Sequence, residues 1–103
     1  MIEITKNKIK ISLEIEGGDR IILLDMLNAP KSSSKEDVQR NIYRIDENGK
    51  IIWQLLPYDA FEVSTFTNIY FSEKVELLGY NFDGGEYEID INTGKVKPKQ
   101  LLK

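Results

Sequence analysis

Apolar and polar side chains alternate along much of this chain. Between residues 8 and 15, isoleucine or leucine occupies every odd position, while lysine, serine and glutamate occupy the even ones. A period of two puts the apolar side chains on one face of a β-strand, so this segment predicts a half-buried antiparallel strand. Further strands predicted at residues 2–5 and 20–25 complete a three-stranded meander, with turns at 6–8 and 17–19.

The middle of the chain carries the clearest hairpin signal. Residues 40–46 and 50–56 are rich in strand-forming side chains and flank Glu47-Asn48-Gly49. Asparagine followed by glycine favours the positive φ angles of a primed hairpin turn, which is therefore predicted here. Pro57 ends the second strand, because proline lacks the amide hydrogen that a sheet ladder requires.

More strands are predicted in the C-terminal half, and one long loop before it. The strands are expected at residues 68–72, 74–80, 87–91 and 95–97, the last confined to a sheet edge or ended by Pro98. Residues 28–39 are rich in proline, serine and charge and predict a long surface loop, in which Ser33 and Glu36 have the spacing of a cap for one helical turn.

Together these elements predict one mostly β domain over residues 1–103 with little helix. About eight or nine short antiparallel strands are expected to form a single meander. Such a sheet has to curl into a barrel, a half-barrel or a sandwich in order to cover its apolar face.

The composition fits a folded domain and removes several kinds of chemistry. Of the 103 residues 41% are apolar and 30% are charged, which is typical of a soluble globule. With no cysteine and no histidine, the chain has no disulfide, none of the usual zinc ligands and no Ser-His or Cys-His nucleophile pair. Neither a cofactor nor a metal nor an enzymatic activity is expected.

Hydropathy gives an expectation about location. The longest nearly apolar run, residues 21–27, is interrupted by Asp25 and falls short of the roughly 20 residues that span a bilayer. The first residues alternate like a strand and do not resemble a secretory signal. A cytoplasmic protein without membrane contact is therefore expected.

Charge is unevenly distributed along the chain. Residues 1–55 are neutral in sum, residues 56–94 carry −7 with Lys74 as their single base, and residues 95–103 carry +4. An acidic block disfavours direct binding of nucleic acid and favours a basic protein as the partner. A solvated face with no partner is the plain alternative.

Aromatic residues are concentrated in the same region. Nine of the ten lie between residues 53 and 87. Trp53 and one of the neighbours Tyr70 and Phe71 are expected in the core, because adjacent strand residues face opposite sides. Three aromatics beside turns and carboxylates suit an interface in which rings anchor and charges steer: Tyr58, Phe61 and Phe82.

Two patterns of acidic residues resemble functional sites, but other features of the sequence argue against those functions. Asp46 and Asp90 each begin a segment like the opening of a calcium loop, but neither is followed by a glutamate at the twelfth position, so both are predicted turn residues. The pairs Glu73/Glu76 and Glu86/Glu88 suggest a weak carboxylate hydrolase. A chain this short rarely forms a cleft deep enough for such a pair.

One internal similarity links the two halves. Residues 43–51 resemble residues 87–96, and the first copy, followed by Trp53, also resembles a repeat of pyrroloquinoline-quinone-type β-propellers. Two copies supply too few strands to close a propeller ring. The similarity is therefore interpreted as one local solution used twice, an aromatic-anchored strand that enters a glycine hairpin.

Four segments carry a family resemblance: Asn-Ile-Tyr-Arg-Ile-Asp-Glu-Asn-Gly-Lys-Ile-Ile-Trp-Gln-Leu at 41–55, Thr-Asn-Ile-Tyr-Phe at 67–71, Leu-Gly-Tyr-Asn-Phe-Asp-Gly at 78–84 and Tyr-x-Ile-Asp-x-Asn-Thr-Gly-Lys at 87–95. They resemble short bacterial β proteins that are similar to the immunity proteins of polymorphic toxin and contact-dependent growth inhibition systems. The likeness covers about the C-terminal two-thirds of the chain. It implies a cytoplasmic protein that binds and blocks a cognate toxin, often a nuclease.

The acidic, aromatic-rich region fits that implied function, because a nuclease needs a basic groove for phosphates that a carboxylate-bearing sheet could cover. The expected partner-binding residues are Tyr58, Asp59, Phe61, Glu62, Glu73, Glu76, Phe82, Asp83, Glu86 and Glu88. A carbohydrate- or small-ligand-binding β module that uses the same aromatics is the alternative.

Overall fold

The computed structural model describes residue 4 and residues 6–27, 32–56 and 64–98. These ranges contain two short 3₁₀ turns, Lys6–Lys8 and Glu16–Gly18, and nine further elements: β1 (Ile9–Glu14), β2 (Arg20–Leu24), α1 (Lys35–Gln39), β3 (Ile42–Ile45), β4 (Ile51–Gln54), β5 (Phe66–Phe71), β6 (Leu77–Asn81), β7 (Glu86–Ile89) and β8 (Val96–Pro98). The predicted mostly β fold is confirmed. The first four strands form one antiparallel sheet and the last four another, each in sequence order.

The two sheets face each other across the main core. The first sheet contributes Ile21, Leu23, Ile42 and Trp53, and the second contributes Phe66, Ile69, Leu77, Tyr87, Ile89 and Val96. The sheets do not close into a barrel, although an isolated parallel bridge joins Leu56 to Lys95 at one edge. Among the three predicted shapes, the sandwich describes this arrangement.

Strand β2 is buried on both of its faces. The run from Ile21 to Leu24 has no exposed surface. Its odd-numbered residues face the second sheet, and its even-numbered residues join Tyr43 in a second apolar cluster on the far side, where Val38 of α1 packs. A strand covered on both faces reads as a continuous apolar run, which explains why this segment does not alternate.

The loop predicted at residues 28–39 is wrong in part, because Lys35–Gln39 form helix α1. The hydroxyl of Ser34 accepts a hydrogen bond from the Asp37 amide at 3.0 Å, so Ser34 is the N-cap, not Ser33. The contact of Val38 with the second apolar cluster stabilises this short helix, which is longer than the single helical turn that the capping pattern suggested. The predictions for residues 2–3, 5, 28–31 and 57–60 lie outside the described residues.

The hairpin between β3 and β4 forms, but its predicted turn type is wrong. The Gly49 amide donates to the Asp46 carbonyl and the Asp46 amide donates to the Lys50 carbonyl, both at 2.9 Å. Gly49 has a φ of 86°, whereas Asn48 does not adopt a positive φ. This is a three-residue loop with a single left-handed residue. The Asp46 carboxylate stabilises it by accepting the amides of Asn48 and Lys50.

The two similar segments occupy equivalent places in the two sheets. Residues 43–51 belong to β3 and β4, and residues 87–96 belong to β7 and β8, with a left-handed glycine in each turn. Tyr43 faces away from the second sheet, whereas Tyr87 faces into the core between the sheets. Equivalent faces of the two sheets therefore point in the same direction, which we call same-sense stacking. The face of the first sheet that packs in the core is equivalent to the outer face of the second sheet.

Buried Asn41 connects the sheets. Its side-chain nitrogen donates to the carbonyls of Leu24 at 2.7 Å and Phe66 at 2.9 Å, and its side-chain oxygen accepts the Phe66 amide at 2.9 Å. The side chain thus supplies Phe66 with the donor and acceptor that a neighbouring strand would otherwise provide.

Arg44 makes a second connection, at the other end of the sandwich. Its guanidinium donates to the Asp19 carboxylate at 2.7 and 3.0 Å and to the Ile91 carbonyl at 2.9 Å. The indole nitrogen of Trp53 donates to the same carbonyl at 2.8 Å. Two side chains of the first sheet therefore hold the turn between β7 and β8.

Candidate functional site on the outer sheet face

The register of β5, β6 and β7 builds a mixed aromatic and acidic surface. Tyr80 of β6 lies between Asn68 of β5 and Glu86 of β7, and Leu78 lies between Tyr70 and Glu88 in the same way. Directly paired residues of antiparallel strands share a face, with Cβ atoms about 4.5–5.5 Å apart. We call this surface the tyrosine face, and its members are Asn68, Tyr70, Tyr80, Glu86 and Glu88; Leu78 points to the same side but is buried.

A tyrosine holds one carboxylate of this surface in place. The hydroxyl of Tyr70 donates a hydrogen bond to the Glu86 carboxylate. Burial raises the pKa of Tyr70 to about 12, and the hydrogen bond and charge of Glu86 act in the same direction. The phenol therefore stays protonated near neutral pH and keeps donating. A carboxylate that is already oriented loses little conformational freedom when it binds a partner.

Tyr80 is the exposed ring of the tyrosine face. Its side chain is 43% exposed, and its hydroxyl reaches the loop after β6, 3.6 Å from the position of a Cβ built on Gly84. An open aromatic ring beside the Glu86 carboxylate attracts a lysine or arginine through both the π-system and the charge.

The negative charge is concentrated at one end of this face. Glu86 lies at this end, opposite Tyr80 of β6, whereas Glu88 lies further along β7, opposite Lys97 of β8. Beyond this end, the β6–β7 loop adds Phe82, which is 67% exposed, and Asp83, whose carboxylate accepts a hydrogen bond from the Ser64 hydroxyl. The end near Tyr80 is therefore the more acidic and aromatic one.

The predicted partner-binding residues fall into three groups. The structure brings together Phe82, Asp83, Glu86 and Glu88 on or beside the tyrosine face. Glu73 and Glu76 lie in the β5–β6 turn, at the opposite end of β6, about 16 Å away for a strand of five residues. The other four predicted residues lie outside the described ranges: Tyr58, Asp59, Phe61 and Glu62. Their role in binding stays a prediction.

Sequence reasoning missed the tyrosines of this face. The turn at residues 82–85 pairs residue 80 with residue 86, so the position of Tyr80 follows once Glu86 is assigned to an outer face. The expected split between Tyr70 and Phe71 is confirmed, because Phe71 packs against the core and Tyr70 lies on the outer face.

Within residues 6–27, 32–56 and 64–98, no three acidic side chains group closely enough to hold a metal ion. In the same part of the chain, no helix has the length and apolar character needed to cross a bilayer.

The fold and the surface define a class of protein: a small two-sheet antiparallel β domain with tyrosines and carboxylates on its outer sheet face. The chain belongs to the family described as a domain of unknown function, DUF7957, whose sequence model matches residues 2–101. Comparisons with curated proteins and with solved structures gave no match.

Proposed function

We propose that this protein binds and neutralises the nuclease domain of a cognate bacterial toxin by covering the toxin's basic site with the tyrosine face. The observation that carries the proposal is the open ring of Tyr80 beside Glu86, whose carboxylate Tyr70 orients. Exposed aromatics supply anchors, and carboxylates steer a basic partner. The resemblance of residues 41–55 and the later segments to immunity proteins supports the same function.

The comparison of the two sheets supports a binding role for this face. The core-facing residues Ile42, Arg44 and Trp53 of the first sheet have Glu86, Glu88 and Lys97 as their counterparts in the second. Positions that face the core in the first sheet are thus charged on the outer face of the second sheet, on which no further sheet of the described residues packs. Tyr70 and Tyr80 remain on this charged surface, and that mixture suits a protein partner. We propose that the protein acts in the cytoplasm as a stoichiometric binder without catalysis.

Complex formation with the toxin tests the proposal. The partner to use is the C-terminal domain of a large secreted protein encoded beside the gene for this chain. We expect a one-to-one complex, and we expect Tyr80→Ala to weaken it by about tenfold or more, as for a central aromatic anchor. Ile52→Ala is the matched control, because Ile52 is a 47% exposed strand residue of the first sheet. The proposal would be refuted if no such gene lies beside the gene for this chain, or if the two proteins do not associate. Wild-type affinity of the Tyr80→Ala variant would also refute it.

A carbohydrate or small ligand is the second candidate, favoured by the flat Tyr80 ring with the Asn68 side chain opposite it. Ring stacking on a neutral ligand hardly responds to ionic strength, whereas steered association with a basic protein weakens steeply as salt rises. Titration of neutral oligosaccharides at low and high salt therefore separates the two functions. Saturable binding that is independent of salt would favour the carbohydrate module.

A further inference from the structure

A cleft of about 590 Å³ opens between the two sheets at the end where β1 and β5 finish. Ile15, Phe71 and Ile91 supply its apolar wall, and Val75 of the β5–β6 turn adds to it. Glu14 and Glu16 line the same opening. The volume falls within the range of sites that take small molecules or protruding side chains.

Val75 has an unusual backbone conformation for its residue type. The β5–β6 turn has the same two hydrogen bonds as the β3–β4 turn, from Val75 to Ser72 and from Ser72 to Glu76, both at 2.9 Å. The left-handed position of this turn type is a glycine in the β3–β4 and β6–β7 hairpins, Gly49 and Gly84. In the β5–β6 turn it is Val75, with a φ of 63°.

In the free protein, packing of the Val75 side chain does not offset the free-energy cost of this backbone conformation. A β-branched residue in the left-handed region is a genuine outlier, and the Val75 side chain is 73% exposed, so packing does not compensate for the conformation. Strained residues persist most often at sites of function. The position therefore indicates that an apolar side chain is needed at this opening.

The unpaired charge at the cleft is negative. Within the described residues, the carboxylates of Glu14 and Glu16 accept no hydrogen bond and form no ion pair. Arg44 also lines the cleft, but its guanidinium is engaged by Asp19 and the Ile91 carbonyl. Arg20 lies opposite Glu14 in the strand register, which leaves Glu16 as the carboxylate most available to a cation.

We infer that this cleft receives a bulky apolar side chain from a segment of a partner protein in which a lysine or arginine stands beside that side chain. The apolar group packs against Ile15, Phe71 and Ile91 with Val75 covering it, while the cation pairs with Glu16. The cleft lies at one end of the sandwich and the tyrosine face on its outer side. The inference therefore goes beyond the proposed function and does not depend on it.

A short capped peptide, lysine-phenylalanine-lysine, is the probe. Added to the ¹⁵N-labelled protein at up to millimolar concentration, it should produce saturable shifts in the amide signals of residues 14–16, 75, 91 and 92. Lysine-alanine-lysine lacks the apolar group and glutamate-phenylalanine-glutamate reverses the charge, so both should bind about tenfold more weakly. Equal binding of the three peptides, the absence of saturable shifts, or shifts confined to the tyrosine face would overturn the inference.

Two variants make the test specific. Val75→Gly places in this turn the residue that the equivalent turns contain, so it should raise the Tm by about 4 °C or more. The same variant should weaken the phenylalanine peptide several-fold, because the covering side chain is lost. Glu16→Lys should reverse the preference between the basic and acidic phenylalanine peptides. A Val75→Gly protein that binds as tightly as the wild type, or a Glu16→Lys protein with unchanged preference, would contradict the proposed site.

Discussion

Asn41 shows how one buried polar residue determines the relation between two sheets. It has no exposed surface, and its side chain satisfies both backbone groups of Phe66 and the carbonyl of Leu24. No feature of the sequence marks it, since it stands at the edge of an ordinary apolar strand. Its role depends on contacts between residues far apart in the chain, which local patterns do not contain.

We expect Asn41→Ala to lower the free energy of unfolding by about 3 kcal/mol, because the Phe66 amide and two carbonyls lose their partner in a buried site. Urea unfolding measures the change. Asn68→Ala is the control, because Asn68 is exposed on β5, and it should change stability by no more than about 0.5 kcal/mol. Similar losses in both variants would show that the buried hydrogen bonds of Asn41 are not what stabilises the sheet contact.

Two tyrosines make the free energy of unfolding depend on pH in the alkaline range. Burial, and then the charge of Asp37, raise the pKa of Tyr43 to about 12 against the opposing effect of Arg40. The pKa of Tyr70 is also raised to about 12. The unfolded chain releases these protons near pH 10, before the folded protein does, so their contribution to stability is complete below pH 10 and is lost as pH rises towards 12.

Urea unfolding at a series of pH values tests this dependence. The free energy of unfolding should decline above about pH 10, and Tyr43→Phe and Tyr70→Phe should each reduce the slope of that decline. The slopes are the quantity to compare, because Tyr43→Phe also removes the hydrogen bond that Gln54 donates to the Tyr43 hydroxyl. Tyrosinate absorbance of the wild type that shows all tyrosines titrating together near the ordinary pKa would contradict the account.

At the scale of elements, the hairpins show what local sequence determines and what it leaves open. Alternation and turn residues were enough to predict the β3–β4 and β7–β8 hairpins. A β5–β6 hairpin was also predicted, but with its second strand beginning at residue 74, which lies in the turn. They did not predict that β2 is covered on both sides, because a short apolar run fits several kinds of buried segment. The strained Val75 was also missed, since turn prediction relies on glycine and asparagine, and a valine gives no such signal.

The turn glycines give a matched pair for an experiment. Gly49 and Gly94 both have positive φ, but a Cβ on Gly49 would meet nothing within 4 Å, whereas one on Gly94 would lie 2.5 Å from the Trp53 ring. Gly49→Ala should therefore cost about 1 kcal/mol, from the backbone alone. Gly94→Ala should cost about 3 kcal/mol, because the ring also has to move.

Thermal or urea unfolding of the two glycine variants gives the comparison directly. The difference between them isolates the contact with Trp53, which also holds the β7–β8 turn through the Ile91 carbonyl. Equal losses in the two variants would mean that the tight packing of Gly94 against the indole ring contributes nothing to stability.

At the scale of the whole molecule, the same-sense stacking of the two sheets puts the tyrosine face on the outer side of the sandwich, where Tyr80 is exposed and Leu78 is buried. The first sheet is covered by the second on one side and by α1 on the other. The outer face of the second sheet carries charged residues at the positions that form the core in the first. Composition was enough to predict an acidic, aromatic surface. Only the strand register shows that Glu86 and Glu88 lie on the outer face, whereas Glu73 and Glu76 lie in the β5–β6 turn.

The most direct test of the account is the association rate of the protein with its toxin domain, measured over a range of ionic strength for two variants of equal net charge. One variant combines Glu86→Lys with Glu88→Lys on the tyrosine face, and the other combines Glu73→Lys with Glu76→Lys at the far end of β6. The account predicts that the first variant associates about tenfold more slowly at low salt, with the difference fading as salt rises, while the second stays close to the wild type. Equal rates for the two variants, or slower association of the second alone, would contradict it.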